Sequence, residues 1–429
     1  MFFHRVRLCS SGVTPDLKTD PEFGNLTPTK PNFNKSLHFW LYDGIVLSSK
    51  CMEAPLRIAL LPGDGIGPEV IAEAVKVLRA IEDISGPTFR FQSGLIGGCA
   101  LDATAVPLPA ETISLCNNSQ AILLGAVGGP QWDSKRPEVR PEQGLLQVRQ
   151  RLKLYVNLRP ARVIDALAGI SAIKPERVRG TDLVIVRELM GGIYFGNPRG
   201  IFARDGERMG INTEVYHEHE VERVAHRAFQ LARVRRRKLT SVDKANVLET
   251  SRLWRDVVAR IGRSYSEVEL NHMYVDNCAM QLIDKPTSFD VILTSNMFGD
   301  ILSDEAAMLT GSIGLLPSAS LGETHALYEP IHGSAPDLAG RNKANPIAAI
   351  ASAALMLRYS FKMETAARAI EMAIESVLKR GIHTAELPGR GRPVSTTKMG
   401  DLIAEQTRKI LKSLNNSHSR PKSKSRRHR

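Results

Sequence analysis

Short runs of strand-forming residues recur along this chain and alternate with helical stretches, and no other feature narrows the fold as far. RIALLP at 57–62, AILLG at 121–125, LVIV at 183–186, LTSV at 239–242 and VILT at 291–294 each have the length of a strand. The most apolar of them have no side suited to water and must be covered on both faces. Helical stretches follow at 70–84, 215–234, 248–261 and 346–359. The alternation predicts an α/β class built on a largely parallel sheet. No internal repeat is visible.

The first of these strands runs into GDGIGPE at 63–69 and then a helix. Strand, glycine loop and helix point toward a dinucleotide fold, but Pro68 stands where G-x-G-x-x-G requires its last glycine. The spacing fails, and a Rossmann fold is rejected.

Composition excludes several classes. With 43% apolar and 24% charged residues among 429, the chain is an ordinary globular one with a sizeable core. No apolar run reaches the roughly 18 residues that a membrane span needs. The net charge of +12 resembles a nucleic-acid signal, yet six of those charges lie in the last ten residues and two in the first 51, which leaves four for the body. The basic tail at 413–429 reads as solvated, with nucleic-acid binding a minority alternative. Residues 1–53 read as a disordered or non-native extension, Met52 being a natural start; a transit peptide is the alternative, which would make the protein organellar rather than cytoplasmic. Cys9, Cys51, Cys99, Cys116 and Cys278 are odd in number and form no CxxC, as in a reducing intracellular setting.

The chemistry is concentrated in a few segments. In FGDILSDEAAML, Ile301, Leu302, Ala306, Ala307, Met308 and Leu309 suit a helix, on which Asp300 and Asp304 share one face. Two like charges there repel. They make either a solvated acidic face or a pair that binds a hard divalent cation. YVDNCAM sets Asp276 in a strand-like context just upstream. GLLQVRQRLKLYVNLRP, at 144–160, carries Arg149, Arg151 and Arg159 near Leu145, Leu146, Leu152 and Leu154. Arginine forks match carboxylates, so the segment binds a multiply anionic small acid or is an amphipathic helix with a basic outer face. In VRELMGGIYFG, Arg187 ends a strand and Gly191–Gly192 permit an abrupt turn before Tyr194, which is either packed or catalytic. Lys244, in SVDKANVLE, lies beside Asp243 at a strand's C-terminal end, where α/β proteins place ligands. The loop at 327–346 has the glycines and small residues for close backbone approach, with Asp337 suited to a ribose hydroxyl.

Taken in order, GDGIGPE, NLRP, VRE-x-x-GGIYFG, SVDKANVLE, GDILSD and EPIHGSAPD resemble the β-decarboxylating dehydrogenases, the family of isopropylmalate, isocitrate, homoisocitrate and tartrate dehydrogenases, over residues 55–412. The resemblance implies an isopropylmalate dehydrogenase-like fold, with two α/β domains around a shared mixed sheet. Residues 54–154 with 311–412 would form the cofactor-binding domain, and 155–310 the domain for metal, substrate and dimerisation. It implies a magnesium or manganese ion on Asp276, Asp300 and Asp304, with Asp276 supplied by the second subunit of a homodimer, so that each site is shared. Asp276, Arg149, Arg159 and Arg187 would contact the substrate, the arginines holding its carboxylates. Lys244, also from the partner, would help remove the hydroxyl proton, and Tyr194 would act later as an acid. NAD would lie across Glu329, His332, Gly333, Ser334, Ala335, Asp337 and Asn345, with further contacts from 128–141.

The implied chemistry is coherent with these residue types. Oxidising a 2-hydroxy acid needs a base and a hydride acceptor. A β-keto acid loses CO2 once its ketone oxygen is polarised, as a divalent cation does. Lysine and tyrosine in these roles need lowered pKa values, which cationic neighbours and the metal could supply. Glu142, Leu145 and Leu146 stand one to two helical turns before Arg149, in the isopropylmalate pattern. Two leucines can bury an isopropyl group, whereas the extra carboxylate of isocitrate would be desolvated against them. The expected reaction is conversion of 3-isopropylmalate to 4-methyl-2-oxopentanoate and CO2 in leucine biosynthesis, with tartrate, malate or homoisocitrate as rival substrates. Asp337 accepts from a free 2′-hydroxyl and repels a 2′-phosphate, which favours NAD over NADP. One departure is Met190, where the family has a small polar residue; a packing change is expected there.

Overall fold

The computed structural model describes residues 54–136, 139–387 and 393–418; the expectations for 1–53, for 137 and 138 within 128–141, and for the chain beyond 418 lie outside them. The chain first lays down β1 (Leu56–Gly63), α1 (Gly67–Ser85), β2 (Phe89–Ser93), α2 (Gly98–Thr104), α3 (Ala110–Asn117), β3 (Ala121–Ala126) and α4 (Pro141–Arg151). It then builds β4 (Val156–Arg162), α5 (Pro175–Val178), β5 (Asp182–Glu188), the hairpin β6 (Gly200–Arg204) and β7 (Glu207–Ile211), α6 (Glu218–Val234), β8 (Lys238–Asp243), α7 (Glu249–Gly262), β9 (Glu269–Tyr274), α8 (Val275–Asp284), β10 (Val291–Thr294) and α9 (Asn296–Thr310). It returns with β11 (Pro317–Leu321), β12 (Ala326–Pro330), α10 (Ile347–Tyr359), α11 (Glu364–Lys379) and α12 (Thr396–His418).

Ten strands form one sheet in the order β2-β1-β3-β12-β11-β4-β5-β10-β8-β9, and β6 and β7 form a separate ribbon. Both wings are parallel, and the ladders β12–β11, β11–β4 and β4–β5 between them are antiparallel. The sheet is therefore mixed, and the largely parallel pattern holds only for its wings. The reason lies in the central sequences. PSASL and VNLRPAR are not apolar runs, and the seam carries buried polar pairs such as Asn157 Nδ2 donating to Ser320 Oγ at 3.1 Å. Strands of that composition escape a search for apolar periodicity.

Helix α1 starts with Pro68 in its first turn and Glu69 near the positive end of its dipole. It buries Val70, Ile71, Ala74, Val77, Leu78 and Ile81, which recur at helical spacing. Helix α10 is buried nearly all round from Ile347 to Leu357, so it lies inside the core rather than on it. Two boundaries differ from the sequence expectation. Asp276 belongs to the first turn of α8, because β9 ends at Tyr274, and α12 continues past residue 412 to His418. Among the described residues no helix is long and apolar enough to cross a membrane.

Candidate active site

Strands β4 and β5 pair so that Asn157 lies opposite Arg187 and Arg159 opposite Ile185. Opposed residues, and residues two apart, share a face of a sheet, so Asn157, Arg159 and Arg187 point the same way. Helix α9 packs across that face and presents Asn296, Asp300, Ser303 and Asp304 from one side. Arg187 Nη1 meets Asp300 Oδ1 at 2.5 Å, while its Nε and Nη2 donate to Asn296 Oδ1 at 3.1 and 2.8 Å. Arg159 Nη1 donates to Ser303 Oγ at 2.6 Å, and its guanidinium lies 3.4 Å from both Asp300 and Asp304. Arg187 passes so close beneath the helix that a Cβ on Gly299 would sit 2.6 Å from its Cγ. Glycine is needed at that position for the helix and the arginine to coexist.

Arg149 comes from the last turn of α4 and pairs with Glu329 of β12 at 2.8 Å, while its buried Nε has no partner. Arg149, Arg159 and Arg187 thus lie together with three carboxylates, Glu329, Asp300 and Asp304. Burial, and after it the charge of Arg159, pulls Arg187 down to about 10, and burial also lowers Arg159. Burial raises the Asp304 carboxyl, against the pull of Arg159. Arginine forks with an unpaired guanidinium nitrogen among them suit carboxylates.

Tyr194 donates to Asp300 Oδ2 at 3.1 Å, and the Arg187 guanidinium lies 5.8 Å from its ring centre. Burial first, and then the neighbouring Asp300, push the phenol up, outweighing Arg187 and Arg159. The turn that delivers Tyr194 is held by Glu188, whose carboxylate accepts from Met190 N and Gly191 N at 2.8 Å each. A Cβ on Gly191 or Gly192 would lie 2.6 or 2.7 Å from Tyr216, so this turn has room only for glycine. Met190 itself packs, partly buried, against the main core. Burial pushes Glu188 up to about 7. A carboxyl raised in the fold lends stability that is complete below its unfolded value of about 4.5 and is lost as pH rises through 7. Glu188→Gln should therefore flatten the stability profile across that window in thermal unfolding; an unaltered slope would assign the titration to another group.

Lys244 and Asp276 stay apart from this cluster and pair with each other at 2.6 Å. Lys244 follows β8, Asp276 opens α8, and the lysine holds the Asp276 carboxyl below its usual range. Asp300 and Asp304 offer hard oxygen donors one helical turn apart, which suits magnesium or manganese. Among the described residues no three His, Cys, Asp or Glu side chains converge to hold an ion. Asp300 and Asp304 are thus two donors of the kind such an ion takes.

The 332–337 loop is pinned to the glycine loop at the end of β1. Ile66 N donates to Ser334 O at 2.8 Å, and a Cβ on Gly65 would lie 2.0 Å from that same oxygen. Buried Asp64 ties the region together by accepting from Gly98 N, Cys99 N and Gly128 N at 2.8 Å each. GDGIGPE thus braces the candidate cofactor loop by close backbone approach, although it fails as a dinucleotide fingerprint. His332 holds its Nδ1 against Gly333 O and leaves a buried Nε2 without a partner, and Gly333 faces open space. Ala335 has a left-handed backbone, and Asp337 is exposed in the 3-10 turn Pro336–Leu338. These features fit a dinucleotide. Ser334 and Asn345 are otherwise engaged: Ser334 Oγ donates to Gly128 O at 2.7 Å, and buried Asn345 bridges Ile347 N and Glu386. On α4, Glu142 is exposed beside Gly128, Leu145 packs on the core cluster under β3, and Leu146 is half-buried.

The structure thus gathers Arg149, Arg159, Arg187, Tyr194, Asp300, Asp304 and Glu329, and leaves Lys244 and Asp276 as a second group. Sequence reasoning missed Asn157, Glu188, Asn296 and Ser303. The helical offsets of Asn296 and Ser303 from Asp300 were visible, as was the place of Asn157 two residues before Arg159 and of Glu188 next to Arg187.

A sequence profile of the isocitrate/isopropylmalate dehydrogenase family matches residues 57–403. A 3-isopropylmalate dehydrogenase of Aquifex aeolicus (strain VF5) is 55% identical over 355 residues, covering 82% of this chain and 98% of that protein. One of Geobacillus kaustophilus (strain HTA426) is 57% identical over 349 residues, covering 81% and 94%. Among solved structures, isocitrate dehydrogenase from Methylococcus capsulatus matches with a TM-score of 0.73 at 35% identity, over 82% of this chain and 99% of that one. A β-decarboxylating dehydrogenase from Thermococcus kodakarensis in its apo form gives 0.69 at 32% identity, over 86% and 100%.

Proposed function

The chain belongs to the isocitrate/isopropylmalate dehydrogenase family, and from that premise we propose that it carries out the NAD-dependent oxidative decarboxylation of 3-isopropylmalate to 4-methyl-2-oxopentanoate and CO2, a step of leucine biosynthesis. The observation that carries this reading is the placing of Arg159 and Arg187 against Asp300 and Asp304, and of Arg149 against Glu329, with Leu145 and Leu146 one turn from Arg149 on α4.

In this reading Arg149, Arg159 and Arg187 bind the two substrate carboxylates. Lys244 of a second copy, 2.6 Å from Asp276 here, would receive the hydroxyl proton as the neutral amine. NAD held at the 332–337 loop would supply the hydride acceptor, and a divalent ion held by Asp300, Asp304 and the second copy's Asp276 would supply Lewis acidity. Tyr194, whose hydroxyl donates to Asp300 Oδ2 at 3.1 Å, gives its proton to the carbon that CO2 leaves. Leu145 and Leu146 exclude water from the branched alkyl group.

A homodimer is part of the proposal. Met280 and Ile283 on α8, with Ile301 and Met308 on the adjoining α9, expose an apolar face, and the β6–β7 ribbon exposes Ile201, Phe202 and Met209. Exposed apolar side chains on these elements accord with an interface, which would bring the second copy's Lys244 and Asp276 to Asp300 and Asp304. A cytoplasmic location accords with Cys99, Cys116 and Cys278, which are all free thiols.

The discriminating experiment compares kcat/KM among 3-isopropylmalate, malate, tartrate, homoisocitrate and isocitrate, with NAD in excess. Burying an isopropyl group gives an expected margin of about 100-fold over malate. Clear preference for an acid lacking the branched alkyl group would overturn the substrate assignment. NAD should be favoured over NADP, and Asp337→Ala should narrow that preference about tenfold by removing charge repulsion at the 2′-phosphate. An unchanged ratio in the variant would remove Asp337 from the cofactor site.

A further inference from the structure

Lys244 and Asp276 sit on different elements, 32 residues apart in sequence, and their separation depends on the ends of β8 and β9. Those strands are parallel, and their last paired residues are Asp243 and Tyr274. Lys244 comes one residue after the first of these, and Asp276 two residues after the second.

One side chain from a third element joins both ends. Arg255, on α7, donates through Nε to Asp243 Oδ2 at 2.9 Å and through Nη2 to Asp243 Oδ1 at 2.8 Å. Its guanidinium carbon lies 4.9 Å from the centre of the Tyr274 ring. The Asp243 side chain is 1% exposed, and its Oδ1 also accepts from Ala245 N at 2.9 Å, so the backbone on either side of Lys244 is fixed through the same carboxylate. Lys244, in turn, accepts through its carbonyl from Val247 N and Leu248 N and so opens the turn into α7. A planar fork that grips one strand end and stacks on the next has two fixed contacts, and a bidentate arginine loses little freedom in making them.

We propose that Arg255 is a positioning residue for the Lys244–Asp276 pair, and that it serves the active site of the opposite subunit rather than its own. The proposal rests on the reading that Lys244 and Asp276 act across the dimer. Arg255 touches neither substrate nor cofactor; it sets the distance and direction of the two side chains that do. Groups that orient the residues touching a reacting centre are typically worth about 10–100-fold. Arg255→Met should lower kcat by about that factor, with KM for NAD unchanged, because the pair it positions serves proton removal and the ion rather than the dinucleotide. Arg255→Lys keeps the charge and most of the stem but cannot bridge both oxygens of Asp243. It should be impaired in the same way, and it serves where the methionine variant does not fold.

Hybrid dimers test the direction of the effect. Two differently tagged chains, Arg255→Met and Asp300→Asn, are co-expressed and the dimer carrying both tags is purified. One of its two sites combines the damaged Asp300 with the misplaced pair, and the other combines an intact Asp300 with an intact pair. The hybrid should regain about half of the wild-type rate, although each parent homodimer is depressed. A hybrid of Lys244→Met with Asp300→Asn tests the underlying reading separately and should also regain about half. If that control stays inactive, Lys244 works within its own chain and the shared-site reading fails. If the control recovers while the Arg255 hybrid does not, or if Arg255→Met alone has wild-type kcat, the inference about Arg255 is overturned and the shared site stands.

Discussion

Replacing Asp300 by asparagine is expected to lower turnover about a thousandfold while the chain still folds. Asp300 is the most connected carboxylate of the site: it receives Arg187 and Tyr194 directly, and Arg159 stands 3.4 Å away. Asparagine has the same shape and keeps one carbonyl oxygen for Arg187, which Asn296 also holds from its other side. The fold therefore loses part of one charge-assisted bond at a site open to water on one side, about 1 kcal/mol. Catalysis loses more. A neutral amide is a poor ligand for a hard cation, and the several kcal/mol of charge stabilisation attributed to that cation correspond to about three orders of magnitude in rate. The variant should unfold within a few degrees of the parent and show no rise in rate on adding magnesium or manganese. Wild-type rates would remove Asp300 from the metal set.

Lys244→Met should be nearly as damaging and should differ in kind. Loss of a general base costs about 10²–10⁴-fold. Because the hydroxyl proton must leave as the hydride leaves, the appearance of NADH in a single turnover should itself slow by that factor. Substrate affinity should change little, since Arg149, Arg159 and Arg187 are untouched. Asp276, released from its 2.6 Å partner, should keep its place at the start of α8. A variant that produces NADH at the normal single-turnover rate would move Lys244 out of the proton-removal step.

The parts of this site that were legible in the sequence are those set by local geometry. Asp300 and Asp304 declare themselves because a helix places residues four apart on one face. Arg187 and Lys244 declare themselves because strand ends in α/β folds are where ligands sit. Arg149 and Glu329 could not be matched that way, since their 2.8 Å contact joins residues 180 apart. That contact depends on β12 lying beside β3, and β12 lay hidden at the start of a segment read as loop. The antiparallel centre was obscured because β4 and β11 carry arginine, serine and proline where an apolar pattern is sought. Asp276 was set on a strand because Tyr274 and Val275 favour one, whereas the helix begins at Val275. The sign of the Tyr194 shift was beyond reach for another reason. It depends on burial and on one carboxylate that the fold brings from over 100 residues away.

The central claim is that one chemical event, hydride loss followed by decarboxylation, takes place on 3-isopropylmalate at the site formed around α9. The most direct test follows NADH by absorbance and CO2 by trapping, with the purified protein, 3-isopropylmalate and NAD, before and after adding magnesium or manganese. One NADH and one CO2 should appear for each acid consumed, only when the ion is present. NADH without CO2, or equal rates after chelation of all divalent ions, would contradict it.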